Sequence, residues 1–181
     1  MVKKMVNLRD ESGFTLIELM LSLLLMSILF LTVWGVFASG VTFWKQAEYK
    51  VDMCDSLRIS LDRMGRELMY TRKPAGATTG GVQTPSDNTK LYFINAEGST
   101  ISYYLKGYEL MRKEYTIPQP LASDIQNMSF TYYNRAGKAI DSTDLDFPGA
   151  VDQVKIELTA KKYGSTISPV VLVKKVTLRS L

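Results

Sequence analysis

The chain has 181 residues, 46% of them hydrophobic and 22% charged, which suits one ordinary domain plus an appendage and leaves too little for two full-sized domains. With no histidine and a single cysteine, Cys54, it excludes histidine-based catalytic triads, His/Cys zinc sites, CxxC redox pairs and any intrachain disulfide. A net charge of +4 is too small to signal nucleic-acid binding by itself.

The first 13 residues form a short basic leader, with Lys3, Lys4 and Arg9 set against Asp10 and Glu11. From Leu19 to Trp44 run 26 residues without a charge, broken only by small polar Ser22, Ser27, Thr32, Ser39 and Thr42. A helix of roughly 20 residues crosses a hydrocarbon core of about 30 Å, so this run spans a membrane with residues to spare. It is too long for an ordinary secretory signal, although Ala38-Ser39-Gly40 imitates a cleavage site. The lysines and arginine before the span place the N-terminus in the cytoplasm by the positive-inside bias, weakened by Lys45 and Lys50 after it, which puts residues 45–181 outside.

Glu18 is out of keeping with a plain anchor, because it lies inside the apolar block that begins at Phe14. An acidic residue at mid-bilayer costs about 2.5–3.5 kcal/mol and seeks a positive partner even near the interface. No lysine or arginine lies within a helical turn. The nearest cation would be an α-amino group at Phe14, which requires a cut between Gly13 and Phe14.

Gly13-Phe14-Thr15-Leu16-Ile17-Glu18, after a basic leader and before a long apolar helix, resembles the class III signal of type IV prepilins and type II secretion pseudopilins. The resemblance implies cleavage after Gly13 by a prepilin peptidase, N-methylation of Phe14, and pairing of Glu18 with the amino terminus of a neighbouring subunit during assembly. It further implies a pilin-like fold and other pilin or pseudopilin subunits as partners. The plain alternative is an uncleaved signal-anchor.

Past the membrane, Ala47, Val51, Cys54, Leu57, Leu61, Met64 and Leu68 recur at helical spacing and predict an apolar stripe packed on a sheet. Arg58/Asp62, Asp62/Arg66 and Arg63/Glu67 stand as i,i+4 ion pairs. Pro74 disfavours helix at Lys73, so the helix ends near residue 72, for a length of roughly 90 Å from Phe14. Gly35 and Gly40 mark either a bend in the membrane half or close packing of small residues. Residues 74–89, rich in proline, glycine and threonine, form a surface loop.

Strands follow at Leu91–Asn95, Thr100–Lys106 and Tyr108–Tyr115 as a meander, then at Ile125–Tyr133 before a turn at Asn134–Gly137. Val154, Ile156, Leu158 and Ala160 alternate with Lys155, Glu157, Thr159 and Lys161, the pattern of a half-buried antiparallel strand, and a last strand covers Val170–Arg179. The expected fold is therefore α+β: a long N-terminal α-helix, half membrane and half amphipathic, packed on an antiparallel sheet of five or six strands. The resemblance calls this pilin-like. Its organisation is a cleaved leader at 1–13, a membrane and assembly half at 14–44, and an extracytoplasmic head at 45–181. The order of features in the head resembles the J-type minor pseudopilins and the PilW-like minor pilins.

Asp141, Asp144, Asp146 and Asp152 crowd a loop with Pro148 and Gly149 and offer carboxylates for calcium, without EF-hand spacing and against the plain reading of a solvated acidic loop. Eight tyrosines from Tyr92 to Tyr163, near Lys106, Arg112, Lys113, Lys161 and Lys162, offer stacking and phosphate contacts for single-stranded DNA, against sheet packing and subunit contacts. Cys54 reads as a small core residue. No nucleophile stands beside a base at a recognisable spacing, so no enzyme and no cofactor are expected. The reading is a structural subunit of a type IV pilus or type II secretion pseudopilus, held in the cytoplasmic (inner) membrane until it assembles through its helix. The alternatives are a filament-tip adhesin or DNA-uptake pilin that binds through its head, and an anchored domain that never assembles.

Overall fold

The computed structural model describes residues 13–72, 81–83, 85–143, 147, 149–162, 164 and 168–179. They form one helix, α1 (Leu16–Met69), and the strands β1 (Val82–Gln83), β2 (Lys90–Ile94), β3 (Thr100–Lys106), β4 (Glu109–Glu114), β5 (Ile117–Ala122), β6 (Ile125–Tyr133), β7 (Ala139–Ile140), β8 (Gln153–Ala160) and β9 (Val170–Thr177). The chain divides into two compact units, Met1–Gln46 and Ala47–Leu181, and α1 contributes to both.

In the first unit every described side chain is exposed, and α1 is long and apolar enough there to cross a membrane. Its polar side chains are spent locally. Ser22 donates to the Glu18 carbonyl at 2.7 Å, Ser27 to Leu24 at 2.7 Å, Thr32 to Leu29 at 2.7 Å, Ser39 to Gly35 at 2.9 Å and Thr42 to Ala38 at 3.0 Å. A hydroxyl bonded back to its own helix needs no water, so these residues do not oppose burial in hydrocarbon.

The second unit is the expected α+β arrangement, a helix packed against antiparallel sheets. Met53, Leu57, Leu61, Met64 and Leu68 are buried on one face of α1, each contributing about 1.5–3 kcal/mol of apolar transfer. The stripe enters differently from its predicted course: Val51 is 59% exposed and Met53 takes its place. Tyr49 sets that face, because its hydroxyl donates to the Asp124 carboxylate and its ring lies under Lys162 Nζ at 4.1 Å. A residue two positions along a helix points about 200° away from Tyr49, which turns Val51 outward.

The strands form two sheets where one was expected. The first is an antiparallel meander of order β1-β2-β3-β4-β5; the second has the order β7-β6-β8-β9, with β6 and β8 paired over eight positions. Both back onto the same core, which gathers Leu91, Phe93, Ile101, Tyr103 and Leu110 from the first and Ile125, Phe130, Val154, Ile156 and Leu158 from the second. They are tied together where Phe130 N–H donates to the Asn88 carbonyl at 2.9 Å and the Tyr132 hydroxyl donates to the Asp87 carbonyl at 2.7 Å.

β5 carries Pro118 and Pro120 and has no strand signal in its sequence. Two prolines at the same parity lack donors on the same side, and β5 is a sheet edge with one side open, which accommodates them. The helix stops at Met69, three residues short of expectation. Its last carbonyl accepts Arg179 N–H at 2.9 Å, and Arg72 N–H donates to the Ile94 carbonyl at 3.0 Å. These partners, from the segment after β9 and from β2, draw the chain out of the helix before Pro74 acts.

Candidate functional site

The predicted processing and assembly residues lie at the start of α1. Thr15 is its N-cap: the Thr15 carbonyl accepts the Leu19 N–H at 3.2 Å, and Thr15 Oγ1 accepts the Glu18 N–H at 3.3 Å. Glu18 replies through one carboxylate oxygen, which accepts both the Thr15 N–H and the Thr15 hydroxyl at 2.9 Å. This is a capping box, in which two orphan donors of the first turn satisfy one another. Sequence reasoning found no partner for Glu18 within the chain, yet the signal was present as Thr15-x-x-Glu18 directly before an apolar run.

The capping box positions the carboxylate at the positive end of the helix without enclosing it. Phe14 is 88% exposed, and Leu16 and Ile17 beside Glu18 are 79% and 75% exposed. A Cβ built on Gly13 would meet nothing within 4 Å. Among the described residues nothing therefore requires glycine at position 13.

The head contains a second polar constellation that sequence reasoning did not identify as a unit. Glu67 of α1 accepts Arg112 Nε at 3.0 and 3.1 Å, the Tyr103 hydroxyl at 2.7 Å and Arg63 Nε at 3.3 Å, while Arg112 Nη1 reaches Glu114 at 2.7 Å. The Arg112 side chain is only 7% exposed. Burial works against its charge, but the hydrogen bonds to Glu114 and Glu67 outweigh that and hold the guanidinium protonated. Burial, followed by the Glu67 charge and hydrogen bond, pushes the Tyr103 phenol well above its ordinary value. With two cations and two carboxylates the cluster is neutral, and it fastens α1 to β3 and β4. Asp62 fastens α1 to β9 instead of pairing along the helix: Lys174 Nζ lies 2.5 Å from Asp62 Oδ1, and that hydrogen bond holds the Asp62 carboxyl below its usual range.

The remaining candidates are scattered. Asp141 is exposed, and its Oδ1 accepts the Thr143 N–H and hydroxyl, each at 3.1 Å; Asp144 and Asp146 lie outside the described residues. Among the described residues no three acidic or sulfur side chains gather as a metal site. The tyrosines do not share one surface. Tyr103 and Tyr132 are buried with their hydroxyls engaged, Tyr133 lies under Lys175 Nζ at 4.6 Å, Tyr108 and Tyr115 are exposed, and Tyr163 lies outside the described residues. Cys54 is free and half-buried.

Residues 8–34 match the family model described as the prokaryotic N-terminal methylation motif. The match takes in Gly13, Phe14, Thr15 and Glu18, and with them the capping box and most of the apolar run. No curated protein matches the chain.

Proposed function

We propose, from the methylation motif at residues 8–34, that this protein is a minor pilin or minor pseudopilin, cleaved between Gly13 and Phe14 and methylated at Phe14 by a prepilin peptidase. The motif supports a type IV pilin-like substrate of that peptidase, and the apolar N-terminal helix fits a single-pass membrane anchor. The finer reading is a non-enzymatic structural subunit, most like the J-type minor pseudopilins and PilW-like minor pilins. It resides in the cytoplasmic (inner) membrane with its N-terminus in the cytoplasm and its head outside, then moves into a type IV pilus or type II secretion pseudopilus.

One observation carries this reading. Every described residue from Gly13 to Glu48 is exposed, which leaves the apolar surface of the helix uncovered among the described residues. Lipid covers such a surface first, and the helices of neighbouring subunits replace lipid on assembly, since helix association in a bilayer is driven by packing and polar contacts. Glu18 supplies the polar contact. Its carboxylate, held at the first turn by Thr15, pairs with the positive Phe14 amine of an adjacent subunit.

Mass spectrometry of the N-terminal peptide tests the proposal, on protein made with a prepilin peptidase present. A chain beginning at N-methylated Phe14 is expected, and Gly13→Leu should accumulate uncut, since the open space around Gly13 leaves the peptidase as the agent that excludes the side chain. An intact leader on the wild-type chain overturns the assignment.

A further inference from the structure

The solvent face of the five-stranded sheet carries a trough. β2, β3 and β4 place Tyr92, Ser102 and Lys113 side by side in register. Adjacent strands lie about 4.8 Å apart, so the strands bearing Tyr92 and Lys113 are separated by roughly 10 Å. Ser102 between them is small and only 6% exposed, which makes it a floor between two taller walls. The resulting cavity is about 450 Å³, with Gly98, Ser99, Thr100 and Tyr115 completing its lining.

Two features set this cavity apart from an ordinary dip in a sheet surface. The first is Tyr115, in the turn between β4 and β5, which holds φ at 55°, where glycine or asparagine would sit with less strain than a bulky side chain. The ring is 76% exposed and buries little apolar area in return. Its hydroxyl oxygen accepts a hydrogen bond from Ser99 Oγ at 2.7 Å, which fixes the ring as a wall. A strained residue with no packing reward is a pointer to function. The second feature is the charge, since Lys113 brings a cation and no carboxylate lines the cavity.

The chemistry selects an occupant. Two tyrosine faces carry negative π density and suit the weakly positive C–H face of a sugar ring or the face of a base. The hydroxyls of Ser99, Thr100 and Ser102 suit a ligand rich in hydroxyl groups, and Lys113 balances one negative charge. The neighbouring segments carry Asp87, Glu97 and Glu109 beside Lys90 and Lys106. A polyanion tracking across this mixed surface would meet carboxylates as often as ammonium groups, whereas a singly charged ring in the trough would not.

We propose that the trough binds a residue of an acidic polysaccharide, with the sugar ring stacked on tyrosine and its carboxylate on Lys113. The site lies wholly in the head and does not depend on how the N-terminal helix is used. The test is calorimetric titration of the full-length chain in detergent micelles with three probes: trigalacturonic acid, a neutral galactose trimer and a single-stranded oligothymidylate. Trigalacturonic acid should bind in the submillimolar to millimolar range, and the neutral trimer at least ~10-fold more weakly. Lys113→Gln should lose a similar factor. Tyr115→Gly removes a wall and relieves the turn, so it should lose binding while its melting temperature holds or rises. Absence of trigalacturonate binding, equal binding of the neutral trimer, binding undiminished in either variant, or tighter binding of the oligothymidylate each overturns the proposal.

Discussion

Glu18 caps its own helix, and the proposed pairing with a neighbour would be a second, separable role; two substitutions distinguish them. Thr15→Ala removes the hydroxyl that accepts the Glu18 N–H and donates to its carboxylate, while the Glu18 charge remains. Loss of an N-cap costs about 0.5–2 kcal/mol, which is roughly a 2- to 30-fold change in an equilibrium constant. Glu18→Gln does the reverse. An amide oxygen still accepts the Thr15 N–H, because glutamine serves in a capping box, but the charge is gone. In an assembled bundle this leaves a neighbour's Phe14 amine unpaired, and breaking a buried pair costs about 3–5 kcal/mol, roughly 100- to 5000-fold. Both variants should insert and be cut, since the apolar run that follows is unchanged in each and Glu18→Gln only removes a charge beside it. Cleavage is read by gel shift and incorporation by co-purification with other filament subunits. The expected order is wild type, then Thr15→Ala with a mild defect, then Glu18→Gln and Glu18→Ala with severe ones. Normal incorporation of Glu18→Gln beside failure of Thr15→Ala would make Glu18 a cap alone and remove the pairing role.

The head should stand by itself: a chain starting at Lys45 keeps the buried face of α1 and both sheets, and circular dichroism with gel filtration should show a folded monomer. Within it, Glu67→Gln leaves Arg112 with Glu114 as its remaining carboxylate partner among those described; because the Glu67 side chain is 20% exposed, the loss should be about 2–3 kcal/mol rather than the full value for a buried pair. That corresponds to a fall of roughly 10 °C in the melting temperature, and a change under 2 °C would show that the cluster does not fasten the helix. Burial, then the hydrogen bond to Asp124, pushes the Tyr49 phenol up to about 12. A folded pKa above the unfolded value gives stability that is complete below about pH 10 and is lost as pH rises towards 12. Tyr49→Phe should therefore flatten the melting temperature across that window relative to wild type, and parallel curves would refute the assignment.

Local features of the sequence were legible because their causes are local. A charge-free run of this length has one structural solution in a bilayer, the helical spacing from Leu57 to Leu68 places those residues on one buried face, and the alternation from Val154 to Ala160 reproduces the observed burial of β8. The motif at Gly13-Phe14 is likewise contiguous. The capping box is local too, held within the four consecutive residues Thr15 to Glu18.

Tertiary structure decided whatever depends on which distant groups meet. The strands of a meander and of a second sheet look alike in sequence, because period-two alternation marks a buried face and not the neighbour across the hydrogen bonds. β5 exists only because its two prolines fall on an open edge. Asp62 had Arg58 and Arg66 within one turn, yet Lys174 meets it from a residue 112 positions away, since folding against β9 fixes that ammonium in place while the helix partners remain exposed. The same holds for Glu67, whose local partner Arg63 is joined by Arg112 and Tyr103 from the sheet. Charge pattern along a helix proposes neighbours; the packing of β3, β4 and β9 onto α1 selects among them.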